Sequence, residues 1–330
     1  MKNQKYRKEA GFLLLVLILV LVVLYSGLRI MEAAVLRPYQ TGETQPPTKT
    51  IVRDGVEYFP RQDITTLLIM GIDQYGPVED SGYYNNIGAN DLNILLIFDE
   101  TAEVCHILHL NRDTMVEMPA LGLGGNSAGT YYGQLALSHT YGSGLEDSCQ
   151  NTVQTVSDFL YGLEIDYYLA MNMDAIPKIN DAVGGVTVTV TEDFSKVDPQ
   201  ITMGEMTLHG QQAITFVRSR QNVGDQQNTS RIQRQKEYMD GFHQAFQEKR
   251  EGGISFVLEA YGQVEPYIVT NCSANAVSGM IERYGHYETG EVVTPEGESI
   301  RGETYMEFYA DEEQLDELIL RLFYAPKQRG

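Results

Sequence analysis

Five basic side chains, Arg218, Arg220, Arg231, Arg234 and Lys236, fall within 19 residues, whereas the stretch between Arg61 and Lys178 holds one, Arg112. The whole chain carries 24 Lys+Arg against 45 Asp+Glu, a formal charge of -21, so a cluster of guanidiniums in it asks for a reason. Arg231, Arg234 and Gln235 are spaced i, i+3, i+4 and share one face if the segment is helical. Like charges so placed cost an isolated helix about 0.2–0.5 kcal/mol, and a bound anion reverses that sign. Planar guanidinium forks match phosphate oxygens two at a time, and several of them suit a diphosphate better than a single carboxylate. The same residues also suit a solvated face pairing with surplus Asp and Glu, and their types alone leave both readings open.

Carboxylates are the second chemical feature. Asp73 follows the apolar run LLIMGI and Asp91 precedes LNILLIF, so both sit at one sheet edge if those strands are antiparallel neighbours. Two carboxylates facing a diphosphate repel it unless a divalent cation lies between them. Hard oxygen ligands of this kind suit Mg²⁺, with Mn²⁺ as a substitute; turn chemistry at a strand end is the alternative. Arg112-Asp113 closes a third apolar run, as a salt bridge or as part of a site. Other motifs fail. The glycine-rich stretch 122–129 lacks Lys-Ser/Thr and reads as a mobile loop. His106 and His109, three apart on a strand, point to opposite faces, and Ser138-His139 lacks the glycines of a nucleophile elbow. The 21 tyrosines suit either a glycan groove or core packing.

The elements that must position these groups read as a mixed α/β domain. Runs 64–72, 92–98 and 104–110 are near-continuously apolar, as expected of strands covered on both faces. Helical patterns follow at 134–140, 145–161 and 173–183, strands at 165–171 and 186–190, and helices at 210–217 and 229–247. The last part alternates more weakly, with strands at 267–270 and 306–310 and a closing helix at 312–323. Residues 64–250 are the core, with 251–330 packed on the same domain. Residues 29–63 read as a linker holding a small hairpin around Asp54-Gly55. A pI near 4.6 argues against nucleic acid, and three cysteines without C-x-x-C spacing argue against a disulfide framework or zinc knuckle.

The N-terminus breaks this composition. Residues 1–37 hold six basic and two acidic groups, a local +4 that leaves -25 on the rest. Residues 10–28 contain no charge, and 19 residues as a helix span ~28 Å, close to a bilayer's hydrocarbon core. Four basic residues precede them, which predicts a single-pass anchor in the cell membrane, residues 1–9 cytoplasmic and the remainder extracytoplasmic.

With LLIMGID ending at Asp73, the AND element containing Asp91, LHLNRDTMVEMP around Arg112, DAVGGVTVTV, and LHGQQAITFVRSRQNVGDQQNTSRIQRQ over 208–235, the chain resembles the LytR-CpsA-Psr family of membrane-anchored cell-wall enzymes. The resemblance covers about residues 64–324. It implies a mixed central β-sheet flanked by helices, with an apolar channel for a lipid tail. It further implies a phosphotransferase that moves a glycopolymer, such as teichoic acid or capsule, from a polyprenyl-pyrophosphate carrier to peptidoglycan. On this pattern Asp73 and Asp91 hold Mg²⁺, while Arg112, Arg218, Arg220, Arg231, Arg234 and Gln235 grip the pyrophosphate. A sugar hydroxyl attacks the sugar-linked phosphorus, with Asp91 the first candidate for the base and Asp225 the second. A hydrolase using water and a non-catalytic lipid-phosphate-binding regulator are the alternatives. The chain departs from the family at Asn111, Leu92 and Gln134, where Pro, Thr and a basic residue are frequent.

Overall fold

Three apolar runs form the middle of one sheet in the computed structural model, which describes residues 50–53, 55–84, 87–122, 126–219, 222–223, 228–251, 262–272, 280, 283–284 and 286–327. The expected membrane span at 10–28 lies outside these residues. Among the described residues no helix is long and apolar enough to cross a membrane.

Strands β1 (Ile51–Arg53) and β2 (Val56–Pro60) make the expected hairpin, followed by β3 (Ile64–Ile72), β4 (Asn90–Asp99) and β5 (Val104–Leu110). A second hairpin, β6 (Met115–Leu121) and β7 (Ser127–Gln134), leads into a 3-10 helix at Leu135–Thr140 and helix α1 (Glu146–Phe159). Then come β8 (Tyr167–Asn172), α2 (Ala175–Ala182), β9 (Val186–Val190), β10 (Gly204–Leu208), α3 (Gln211–Arg218) and α4 (Asn228–Glu251). The chain closes with β11 (Ile268–Thr270), β12 (Glu288–Val293), β13 (Gly297–Arg301), β14 (Met306–Ala310), α5 (Glu312–Phe323) and β15 (Tyr324–Pro326).

The central sheet runs β11-β8-β3-β4-β5-β12 and is mixed: β8–β3 and β5–β12 are parallel and the other pairs antiparallel. Side chains alternate between its faces, so each apolar run feeds two cores. Leu67, Ile69, Leu96 and Phe98 pack toward α2, α3 and α4, while Leu68, Met70, Leu95 and Ile97 pack toward α1 and α5. The C-terminal part supplies both edge strands, β11 and β12. The segment expected as a linker is tied in as well, since β2 pairs with β15. The glycine-rich stretch expected to be a loop instead begins the second strand of the β6–β7 hairpin, with 123–125 outside the described residues.

One irregularity positions the chemistry. β3 and β4 pair residue for residue until Gly71↔Leu92, after which Ile72 faces Asn90 and Asp91 is passed over. This is a β-bulge, which re-aims one side chain and adds twist at a strand end. Gly71 permits it: a Cβ there would come within 2.9 Å of Leu92 Cβ.

The segment entering β4 is fastened from behind by His139, which is buried and whose Nδ1 lies 2.9 Å from the Gly88 carbonyl it donates to. Burial pushes the His139 pKa down to about 4. Because the unfolded chain binds this proton near pH 6.5 and the folded chain only near 4, the stability from neutral His139 is full above pH 6.5 and lost as pH falls toward 4. The wild-type chain is expected to lose roughly 3 kcal/mol through this group between those limits. Urea unfolding at pH 7.5 and pH 4.5 checks it: His139→Gln should have a visibly shallower pH slope than wild type.

Candidate functional site

Four chain segments bring charged side chains to one end of the central sheet. Asp73 follows β3, and its N–H donates to the Ala89 carbonyl at 2.9 Å. Asp91 sits on the β4 bulge, Arg112 lies just past β5, and Arg218 is the last residue of α3. Arg218 Nη2 is 3.0 Å from Asp73 Oδ1, and its Nη1 donates to the Tyr75 hydroxyl at 2.6 Å. Arg112 pairs through Nη1 with Asp91, while its buried Nε, 3.4 Å from Asp113 Oδ1, has no hydrogen-bond partner. Burial pushes the Asp91 carboxyl above its ordinary range; Arg112 and Arg218 oppose that shift and the charge on Asp73 adds to it. Asp73 and both arginines therefore all act on Asp91, and the two ion pairs form one cluster.

Exposure separates the arginines of this cluster from Arg234. The side chains of Arg112, Asp91, Arg218 and Asp73 are 39, 30, 37 and 40 % exposed. Ion pairs this wet are worth about 1 kcal/mol or less each, so a phosphate can take the guanidiniums cheaply. Arg234 is 5 % exposed, its Nε donates to the Phe216 carbonyl at 2.9 Å, and its other nitrogens reach the Ser219 carbonyl and Glu192. Its guanidinium also lies over the Phe194 ring, 5.5 Å from the centroid. The expectation that Arg234 grips pyrophosphate is corrected on this geometry: it is a clamp that fixes the end of α3 and thereby Arg218. The backbones of Arg231 and Gln235 belong to α4, but their side chains, like all of Arg220 and Asp225, lie outside the described residues.

Gln134, one of the departures from the family pattern, is buried and donates to Asp113 Oδ1 at 2.7 Å and to the Met306 carbonyl at 2.9 Å. Asp113 in turn faces Arg112, so an uncharged amide braces the Arg112 side of the cluster. Sequence reasoning passed over Tyr75, although its position two residues after Asp73 was the available signal. Tyr75 also lines a cavity of about 300 Å³ with Ile72, Val78 and His139.

The two aspartates suit a cation. They are close enough for Asp73 to raise the Asp91 pKa, yet among the described residues no group of three or more His, Cys, Asp or Glu surrounds them. A cation held here would draw its remaining ligands from water and from substrate oxygens, which is the habit of Mg²⁺ rather than of structural Zn²⁺ or Ca²⁺.

The LytR_cpsA_psr family model matches residues 32–322. Among curated proteins, the chain is 27 % identical over 226 residues to the polyisoprenyl-teichoic acid–peptidoglycan teichoic acid transferase TagU of Oceanobacillus iheyensis. That match spans 66 % of this chain and 64 % of TagU, less than two thirds of the relative's length. The chain is 30 % identical over 179 residues to the corresponding transferase TagT of Bacillus subtilis, spanning 51 % of this chain and 49 % of TagT. The fold matches solved structures of B. subtilis TagV (TM-score 0.55, 21 % identity, 79 % of this chain and 96 % of that one). It also matches TagT bound to LI-WTA (TM-score 0.53, 22 % identity, 83 % and 95 %).

The clamp role of Arg234 has a measurable consequence. Arg234→Ala leaves a carboxylate and two carbonyls without their partner in a buried site, and is expected to destabilise the chain by about 3–5 kcal/mol. Urea unfolding checks this, and Arg234→Lys should recover little because an ammonium cannot reproduce the planar fork. A change within about 0.5 kcal/mol for Arg234→Ala would contradict the clamp.

Proposed function

The chain belongs to the LytR_cpsA_psr family, and on that premise we propose that it is a phosphotransferase joining a glycopolymer from a polyprenyl-pyrophosphate carrier to peptidoglycan. Teichoic acid is the polymer named for its curated relatives. The observation that carries the reading is the half-exposed cluster in which Arg218 pairs with Asp73 and Arg112 with Asp91. Two guanidiniums held loosely by two carboxylates can exchange those partners for phosphate oxygens.

In the proposed reaction Arg112 and Arg218 grip the pyrophosphate and hold the sugar-linked phosphorus in line with an acceptor hydroxyl. Arg220, Arg231 and Gln235 are further candidates for the same grip. The hydroxyl oxygen bonds to phosphorus as the bond to the bridging oxygen breaks, and polyprenyl phosphate leaves with that bonding pair. Asp91, where a cation does not fully engage its carboxylate, is the first candidate to take the hydroxyl proton; Asp225 is the second. Asp73 and Asp91 would hold Mg²⁺ or Mn²⁺, which supplies Lewis-acid compensation of phosphate charge when bound. The uncharged run at 10–28 supports a single-pass anchor with the catalytic domain outside the cell membrane and the lipid tail in an apolar interior.

The full chain in detergent, given Mg²⁺, a polyprenyl-pyrophosphate sugar and an acceptor glycan, should release polyprenyl phosphate and form a phosphodiester conjugate. Arg218→Ala and Asp73→Asn are each expected to lower turnover by about 100-fold or more. Full activity in either variant would overturn the assignment, and release of sugar phosphate without conjugate would make the chain a hydrolase.

A further inference from the structure

We propose that tyrosines on and beside the β6–β7 hairpin form the docking surface for the acceptor glycan, a neutral amino-sugar chain, next to the phosphate site. Tyr131 and Tyr132 on β7 are 40 % and 53 % exposed, and Tyr309 on β14 is 38 % exposed. The Tyr131 ring lies 5.2 Å from that of Tyr141, tilted by 43°. It crosses the backbone of Gly133, where an added Cβ would come within 2.5 Å of it. The Tyr309 hydroxyl donates to Glu307 at 2.7 Å. The parallel bridge between Thr114 and Phe308 sets β14 beside the start of β6, whose partner strand β7 carries Tyr132. Successive residues of a strand face opposite sides, so Tyr132 shares a face with its cross-strand partner Glu117, while Tyr131 stands on the other face with Tyr141.

This surface is continuous with the cluster. Gln134 ends β7 and bonds both Asp113 and the Met306 carbonyl of β14, and Phe308 N–H donates to the Asp113 carbonyl at 2.8 Å. Both tyrosine-bearing strands are therefore fastened to the residue that follows Arg112. Tyrosine offers a flat apolar face to the C–H face of a sugar ring and a hydroxyl to its polar edge, at low cost in side-chain ordering. Glu117 pairs with Tyr132 across the hairpin and Glu307 pairs with Tyr309. An acidic rim repels an anionic polymer and tolerates an uncharged one, which selects the acceptor glycan over the phosphate-rich donor. The identity of the ligand rests on the transferase reading; the existence of the surface does not.

The test is calorimetric titration of the full chain in detergent with the hexamer of N-acetylglucosamine. Tyrosine emission serves as a second readout, because the sequence has no Trp. The double variant Tyr132→Ala/Tyr309→Ala is expected to bind the hexamer about tenfold more weakly with its thermal unfolding unchanged. Arg218→Ala, which disables the phosphate site, should alter hexamer affinity by less than about twofold. Unchanged affinity in the double variant, absence of hexamer binding by wild type, or tighter binding of polyglycerol phosphate than of hexamer would each overturn the proposal. A chain that forms no conjugate yet binds the hexamer through these tyrosines would sink the transferase reading and leave this surface standing. A chain that forms conjugate while the double variant binds normally would do the reverse.

Discussion

Two carboxylates that repel each other are forced together at the end of the central sheet, and the surroundings follow from that constraint. Asp73 and Asp91 meet because β3 and β4 are antiparallel neighbours and because the bulge turns Asp91 out of the ladder. Burial and the neighbouring charge then push the Asp91 pKa up. Compensation comes from two other segments, Arg112 after β5 and Arg218 at the end of α3. None of the four residues is near another in sequence except by way of the fold, so the site exists only when the sheet and α3 are both in place.

Solvent decides which arginine does what. The Asp73–Arg218 and Asp91–Arg112 pairs are wet enough to be worth about 1 kcal/mol or less each, so they hold the site in register and still yield to a ligand. Arg234, buried against two carbonyls and Glu192, cannot be released at that cost. A half-exposed layer of ion-paired arginines thus rests on a buried clamp, and the two are distinguished by dielectric environment rather than by residue type.

Much of this was legible in the residues. The bounds of β3, β5, β9, β14 and α5 follow from apolar patterning and turn residues alone: β3 and β5 are near-continuously apolar because both their faces are covered, and β9 alternates because one face is exposed. The convergence of Asp73 and Asp91 follows from one assumption about strand neighbours. Spacing could not reveal the role of Arg234, since i, i+3 periodicity names a shared helix face but not what packs against it. The β6–β7 hairpin was hidden for a different reason. Its turn lies in a glycine-rich stretch and the strand after it is largely exposed, so no alternating burial pattern marked it. Of the two edge strands, β11 falls within the strand expected at 267–270, whereas β12 is only partly buried and takes its place from β5, a partner far away in sequence.

The central claim is that the two carboxylate–arginine pairs exchange partners, the arginines going to phosphate and the carboxylates to a divalent cation. Titration of the full chain with inorganic pyrophosphate, with and without Mg²⁺, tests it most directly. Partner exchange predicts reciprocal coupling, with Mg²⁺ tightening pyrophosphate binding by about tenfold or more and pyrophosphate tightening Mg²⁺ binding by the same factor. Pyrophosphate affinity that is the same in the presence and absence of Mg²⁺ would contradict it.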